Sequence, residues 1–191
     1  MSGQPWLGAA GSFLTMWVVM MMAMMLPSLV PTLWRYRQAG LGPMTALVAV
    51  AYFAVWTVFG MVAYLLGVAL PPAVPLAVGV VMLMAGVLQF TAWKARHLAC
   101  CREAGRGHVP ADAGAAWRHG LSLGLHCAKC NVGLMAILLG LGVMDLRAMV
   151  VVAVAITVER LAPAGERIAR ATGAIALGAG SVLIARAAGL G

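Results

Sequence analysis

The sequence predicts an all-α protein, a polytopic transmembrane helical bundle, on the basis of its composition and the form of its apolar runs. Of its 191 residues, 63% are hydrophobic and only 9% are charged, and the mean hydropathy is +0.98. Average soluble domains are about half apolar and about a quarter charged. Because lipid offers the backbone no hydrogen bonds, the chain must form helices or a closed barrel. The apolar runs are continuous rather than alternating, which favours helices.

The apolar runs predict about six membrane spans, since a span needs about 20 residues. They cover Gly11 to Leu33, Met44 to Leu70, Pro75 to Thr91, Leu121 to Val143, Asp145 to Val158, and a Gly- and Ala-rich run that ends near Ala188. Asp145 is placed to cap the fifth helix. Pro71, Pro72 and Pro75 predict a tight turn, and Lys94 to His119 predicts a sizeable polar loop. We expect residues 1–191 to form a single integral membrane domain.

The positions of the basic residues predict the orientation of the bundle. Most of the 13 Lys and Arg residues lie after the first, third and fifth apolar runs. The positive-inside rule therefore places these three loops in the cytoplasm and both termini on the non-cytoplasmic side. We expect a multi-pass protein of the bacterial inner (cytoplasmic) membrane, with the lipid bilayer as its surroundings. The net charge of +8 is spread over short loops, which argues against nucleic acid as a partner.

Two short clusters hold all four cysteines of the chain and two of its four histidines. The cluster after the third run comprises His97, Cys100 and Cys101, and the cluster at the start of the fourth run comprises His126, Cys127 and Cys130. Residues three or four apart lie on nearly the same side of a helix. A hairpin of antiparallel helices would bring the two clusters to the same membrane face. We therefore expect a cysteine of one cluster to lie close to a cysteine of the other.

The residue types in these clusters indicate a site for a soft metal ion. Thiolate ligands select copper(I), zinc or iron–sulfur sites, and imidazole suits copper and zinc. Copper(I) is the preferred ion, and zinc is its rival because tetrahedral sulfur and nitrogen ligation suits it equally well. Lys94, Arg102 and Lys129 would favour the thiolate forms. We expect Cys127 and Cys130 to bind most tightly, whereas each cysteine taken singly could be an ordinary buried residue.

Methionines in the first run form a second pattern that suits copper(I). Met20 and Met24 are four residues apart, and further methionines fill the positions around them. Such a stripe of thioethers could pass copper(I) between weak sites spaced about 6 Å apart along the helix axis. Methionine is also a flexible gap-filler in apolar cores, so packing without a metal is the alternative.

Three segments of the chain together resemble the bacterial family of predicted metal-binding integral membrane proteins. They read MWVVMMMAMMLPSLVP in the first run, LQFTAWKARHLACC after the third, and GLHCAKCNVGLMAILLGLGVMDL in the fourth. Glu159 after the fifth run also fits. Family members usually carry a further cysteine at the position of Asn131, and His126 would compensate for it here. The resemblance implies a membrane fold and metal binding, without a reaction.

These patterns predict a membrane protein that acquires, transfers or transports copper(I). No phosphate-binding glycine loop, Ser-His-Asp set or facing pair of carboxylates stands out, so no enzyme activity is predicted. A metallochaperone, another membrane protein or a second copy of the chain could be its partner. Two alternatives stay open: a membrane thiol–disulfide oxidoreductase, and a structural zinc site in a membrane scaffold.

Overall fold

The computed structural model describes residues 4–69, 75–104, 112–142 and 145–189, and within these ranges the regular structure is helical. Seven α-helices occur in the described ranges, which confirms the predicted all-α class. They are α1 (Gln4–Gln38), α2 (Gly42–Ala69), α3 (Pro75–Gln89), α4 (Ala92–Ala104), α5 (Ala113–Leu141), α6 (Leu146–Leu161) and α7 (Gly165–Ala187).

Four of the described helices, α1, α2, α5 and α7, are long and apolar enough to cross a membrane. The count rises to five if α3 and α4, which meet at a 67° bend, together form one broken span. The predicted number of six spans is not confirmed. The fifth predicted span corresponds to α6, which has only 16 residues, whereas about 20 are needed to cross the hydrocarbon core.

The predicted polar loop from Lys94 to His119 is wrong over most of its length. The chain is helical as far as Ala104 in α4 and helical again from Ala113 in α5, and residues 105–111 lie outside the described ranges. The described polar residues of this segment belong to α4 and the start of α5, and they suggest a loop because several of their contacts are with distant parts of the chain. Of the predicted proline turn, Pro71 and Pro72 also lie outside the described residues. Pro75 is the first residue of α3, where its missing N–H costs no hydrogen bond.

The chain forms two compact units, and α5 contributes to both. The first unit comprises residues Met1–Pro71 and Gly107–Leu125, and the second comprises Pro72–Arg106 and His126–Gly191. The single integral membrane domain stays a prediction. Within the first unit, the indole Nε1 of Trp17 in α1 donates to the Trp56 carbonyl of α2 at 2.9 Å. Gly124 of α5 lies close to α2, since a Cβ there would be 3.0 Å from the Tyr52 carbonyl oxygen.

Within the second unit, glycines allow α3 and α7 to pack closely. A Cβ added at Gly173 of α7 would lie 2.8 Å from the Gln89 Cβ and 3.0 Å from the Gly86 carbonyl oxygen. A Cβ at Gly180 would lie 2.9 Å from the Gly79 carbonyl oxygen. Small residues at matched positions on two helices let their backbones approach, which is typical of membrane helix pairs.

The start of α6 confirms the predicted cap. The Asp145 carboxylate oxygen Oδ1 accepts hydrogen bonds from the backbone N–H groups of Arg147 at 2.8 Å and Ala148 at 3.2 Å. These are donors that have no partner within a helix's first turn. The cap sets where α6 begins. The opposite end of α6 contains Glu159 and Arg160, which both contribute to the site described below.

We predict that Gly173→Ala destabilises the protein by about 1–3 kcal/mol, because the added methyl group must push α3 away from α7. The measurement is the thermal unfolding midpoint of the protein in detergent, followed by helical circular dichroism. Gly178→Ala is the matched control on the same helix, since a Cβ there meets nothing within 4 Å. An equal midpoint for the two variants would contradict the close α3–α7 contact.

Candidate metal centre

One cysteine from each predicted cluster meets in the core of the second unit. Cys101 of α4 and Cys130 of α5 pack together there. Together with Leu98 they form a buried apolar cluster, in which Cys101 is 4% exposed and Cys130 is 2% exposed. One cysteine of each predicted cluster thus lies in this apolar cluster, while the predicted convergence of the full set of ligands stays a prediction.

The other two residues of the first cluster lie outside this pair. Cys100 is exposed, although it is the chain neighbour of buried Cys101. His97 is half-buried, its ring lies 4.2 Å from the Trp93 ring between centroids, and its Nδ1 donates to the Trp93 carbonyl at 2.8 Å. Successive residues of a helix point about 100° apart, so Cys100 and Cys101 cannot both face the core. The pair of adjacent cysteines is therefore divided between a surface thiol and a buried thiol.

Cys127 is fully buried, and its sulfur accepts hydrogen bonds from two nitrogen donors. The guanidinium Nη1 of Arg160 lies 3.2 Å from the Cys127 Sγ, and the amide Nδ2 of Asn131 lies 3.3 Å from it. Asn131 also donates to the Cys127 carbonyl at 3.0 Å, one helical turn back. Asn131 therefore orients Cys127, at the position where the resembled family usually has a further cysteine.

The remaining residues of the second cluster are more accessible. His126 is half-buried and Lys129 is exposed. Within the described residues, no three side chains of His, Cys, Asp or Glu are grouped so that they could hold a metal ion together. The structure therefore offers a buried pair of thiols with a third thiol, Cys127, on the same helix as Cys130.

A buried ion pair lies beside the two thiols, and the sequence interpretation did not identify it. The Lys94 ammonium lies 2.7 Å from the Glu159 carboxylate oxygen Oε2, and it also donates to the Cys130 carbonyl at 2.9 Å. Gln89 donates to the other carboxylate oxygen of Glu159 at 2.8 Å. The expectation that Lys94 favours a thiolate stays a prediction, and the structure gives Lys94 a further role. Lys94 links α4 to Glu159 of α6 and to the backbone of α5 at Cys130.

Arg102 connects the other end of α4 to the end of α6. Its guanidinium donates to the carbonyl oxygens of Glu159 at 2.9 Å and Arg160 at 3.2 Å, and to that of Ala162. The last carbonyl groups of a helix have no partner within it and carry a partial negative charge. Arg102 donates to several of these carbonyl groups. Because these hydrogen bonds fix the end of α4 against α6, they also hold the neighbouring residue Cys101 in place.

A pocket of about 270 Å³ adjoins this site in the second unit. Lys94 and Leu98 contribute to its wall, and α7 contributes Glu166 and Arg170. Leu98 also packs in the cluster with Cys101 and Cys130. One side chain therefore separates the pocket from the buried thiols.

The predicted methionine stripe belongs to the first unit. Met20 is 7% exposed and Met24 is 2% exposed, and Met21 and Met25 beside them are fully buried. Met22, by contrast, is 40% exposed. Four thioethers therefore line one buried side of α1 over two helical turns, an arrangement that suits either packing or weak copper(I) contacts.

The second unit thus defines a helical protein with a buried dithiol, of the kind that binds soft metal ions. A family model described as PpoB2, copper chaperone, matches residues 14–183. This match covers most of the chain, so the chain belongs to the PpoB2 copper chaperone family. The metal-related part of the predicted resemblance is thereby confirmed, and so is the general assignment to copper handling. No curated protein and no solved structure matches the chain.

Proposed function

We propose that this protein handles copper(I) within a membrane, and that Cys101 and Cys130 are the ligands that hold the ion. The observation that carries the proposal is the buried contact between the two thiols, one from α4 and one from α5. Loss of their protons turns them into a pair of soft sulfur ligands on facing helices. Membership of a copper chaperone family supports copper as the ion.

The number of ligands favours copper(I) over zinc. Structural zinc sites almost always have four protein ligands in tetrahedral geometry. The described residues contain no group of even three His, Cys, Asp or Glu side chains that could hold a metal. Copper(I) accepts coordination by two or three sulfur atoms. Cys101 and Cys130 therefore suffice as ligands, and Cys127 would be the third ligand if the ion takes one. His126 would be a further ligand only after a rearrangement.

The surface residues of α4 suit the transfer of copper(I) to or from a partner. Cys100 is exposed and directly precedes the buried ligand Cys101. His97 lies one turn earlier and is half-exposed. Copper(I) would first pass from a metallochaperone or a membrane partner to Cys100, with His97 as a transient ligand. Exchange of ligands would then move the ion to Cys101 and Cys130. Met20 and Met24 would provide a weaker path within the first unit.

The membrane location rests on the four to five apolar helices of spanning length and on the placement of basic residues. We place the protein in the bacterial inner membrane, with both termini outside the cytoplasm. Reporter fusions to the C-terminus and to the segment between α4 and α5 test this. The C-terminal fusion should report a non-cytoplasmic location and the internal fusion a cytoplasmic one. The reverse pattern would invert the orientation.

A thiol–disulfide oxidoreductase is the second candidate, and the same contact favours it. Two free thiols that pack in one buried cluster could be oxidised to a disulfide by exchange with a partner disulfide. Cys100 would then be the exposed thiol that exchanges with a partner disulfide. Cys127 would remain bonded to Arg160, outside this exchange. Metal analysis of protein purified under reducing conditions distinguishes the two candidates, because the oxidoreductase predicts a metal-free protein with a reversible disulfide.

We predict that the double variant Cys101→Ser/Cys130→Ser loses high-affinity copper(I) binding, because serine oxygen is a hard and poor ligand for this ion. Binding is measured anaerobically in detergent by competition with a coloured copper(I) chelator. Cys100→Ser is the matched control, and it should keep the affinity while slowing exchange of copper(I) with the chelator. Met20→Leu/Met24→Leu should also keep it, since leucine preserves the volume.

Undiminished copper(I) affinity in the Cys101→Ser/Cys130→Ser variant would remove the proposed site. A wild-type protein that binds no copper(I) but forms a Cys101–Cys130 disulfide reversibly would instead favour the oxidoreductase.

A further inference from the structure

The last turn of α6 places a positive charge beside one of the buried thiols. The Arg160 guanidinium donates to the Cys127 sulfur at 3.2 Å. Cys127 lies about one helical turn before the proposed ligand Cys130 on α5, so this charge is close to the site. Arginine keeps its proton at all accessible pH values, so this charge is permanent. A permanent cation in contact with Cys127 bears directly on which ion the neighbouring thiols can hold.

Charge balance gives this cation a specific effect on metal binding. Two neutral thiols that bind copper(I) release two protons and form a bis-thiolate complex with a net charge of −1. The same two thiols that bind zinc(II) release two protons and form a complex with no net charge. For any given set of thiolates, the copper(I) complex is one unit more negative than the zinc(II) complex. Burying an uncompensated charge among apolar helices is costly.

We propose that Arg160 is the counter-charge of the thiolate-bound metal and makes the site selective for monovalent over divalent ions. This inference rests on the proposed copper(I) site at Cys101 and Cys130. Arg160 acts through the net charge of the complex, without touching the metal, and is therefore a specificity-determining residue. Silver(I) carries the same charge as copper(I) and prefers the same ligands, so it should share the effect.

Lys94 and Arg102, which also lie near the thiols, are engaged differently. Lys94 lies 2.7 Å from the Glu159 carboxylate, which compensates its charge. The Arg102 guanidinium is bonded to carbonyl oxygens at the end of α6, where the helix dipole is negative. Arg160 is the cation whose hydrogen bond goes to a cysteine sulfur. Its substitution therefore removes a charge that is in direct contact with a thiol next to the site.

The experiment compares the affinities of the full-length protein for copper(I), silver(I) and zinc(II) in the wild type and in Arg160→Gln, Arg160→Lys and Arg167→Gln. Affinities are measured anaerobically in detergent by chelator competition, and circular dichroism follows the fold. Arg160→Gln should weaken copper(I) and silver(I) binding by about tenfold or more relative to zinc(II). Arg160→Lys keeps the charge and should keep most of the selectivity. Arg167 is exposed on α7 and serves as the matched control, with wild-type selectivity.

Equal losses for monovalent and divalent ions in Arg160→Gln would overturn the inference and leave Arg160 a purely structural role. So would a tenfold loss of selectivity in Arg160→Lys relative to the wild type, and this comparison decides the matter even if Arg160→Gln folds poorly. Either result leaves the copper(I) site itself standing. A wild-type protein that binds no copper(I) would instead remove the proposed function on which the inference rests.

Discussion

The buried ion pair between Lys94 and Glu159 is the interaction on which the arrangement of the second unit depends. Glu159 is fully buried and reaches two other helices, through Gln89 at the end of α3 and Lys94 at the start of α4. Lys94 also bonds to the backbone of α5 at Cys130. The Glu159 carboxylate thus contacts residues on both sides of the 67° bend between α3 and α4. Removing one partner of such a pair leaves an uncompensated buried charge, which costs about 3–5 kcal/mol.

The site follows from this anchoring, because polar contacts hold α4 at both ends. Lys94 attaches the first turn of α4, and Arg102 attaches the last turn to the carbonyl end of α6. Cys101 lies between these two anchors and is thereby held against Cys130 before any ion arrives. Preorganised ligands lower the ordering cost of binding. The same anchoring leaves Cys100 on the outer surface of α4, where a partner can reach it.

The all-α class and the convergence of the two cysteine clusters could be predicted from the sequence, because both depend on local patterns. Continuous apolar runs predict helices, and cysteines that flank a predicted hairpin are expected to meet. The choice of Cys101 rather than Cys100 could not be predicted, because it depends on how α4 is rotated about its axis. That rotation is set by Lys94 and Arg102, whose partners lie on α6, far along the chain.

Polar residues were the main source of error for the same reason. The stretch from Lys94 resembles a loop because its charges look solvated, yet Lys94 is buried and α4 is helical. The sequence likewise gives no sign of the contacts that Glu159 and Arg160 make. In the structure, Glu159 pairs with Lys94, and Arg160 donates to Cys127. Each of these partners is 33 or more residues away in the chain, and no periodicity within a segment encodes such a contact.

The central claim is that two buried thiols hold copper(I), and X-ray absorption spectroscopy at the copper edge tests it most directly. The protein would be loaded anaerobically with less than one equivalent of copper(I) in detergent. The account predicts a monovalent copper with a first coordination shell of sulfur alone, two atoms in number, or three if Cys127 joins. A shell made mainly of nitrogen or oxygen, or a spectrum unchanged by Cys101→Ser/Cys130→Ser, would contradict it.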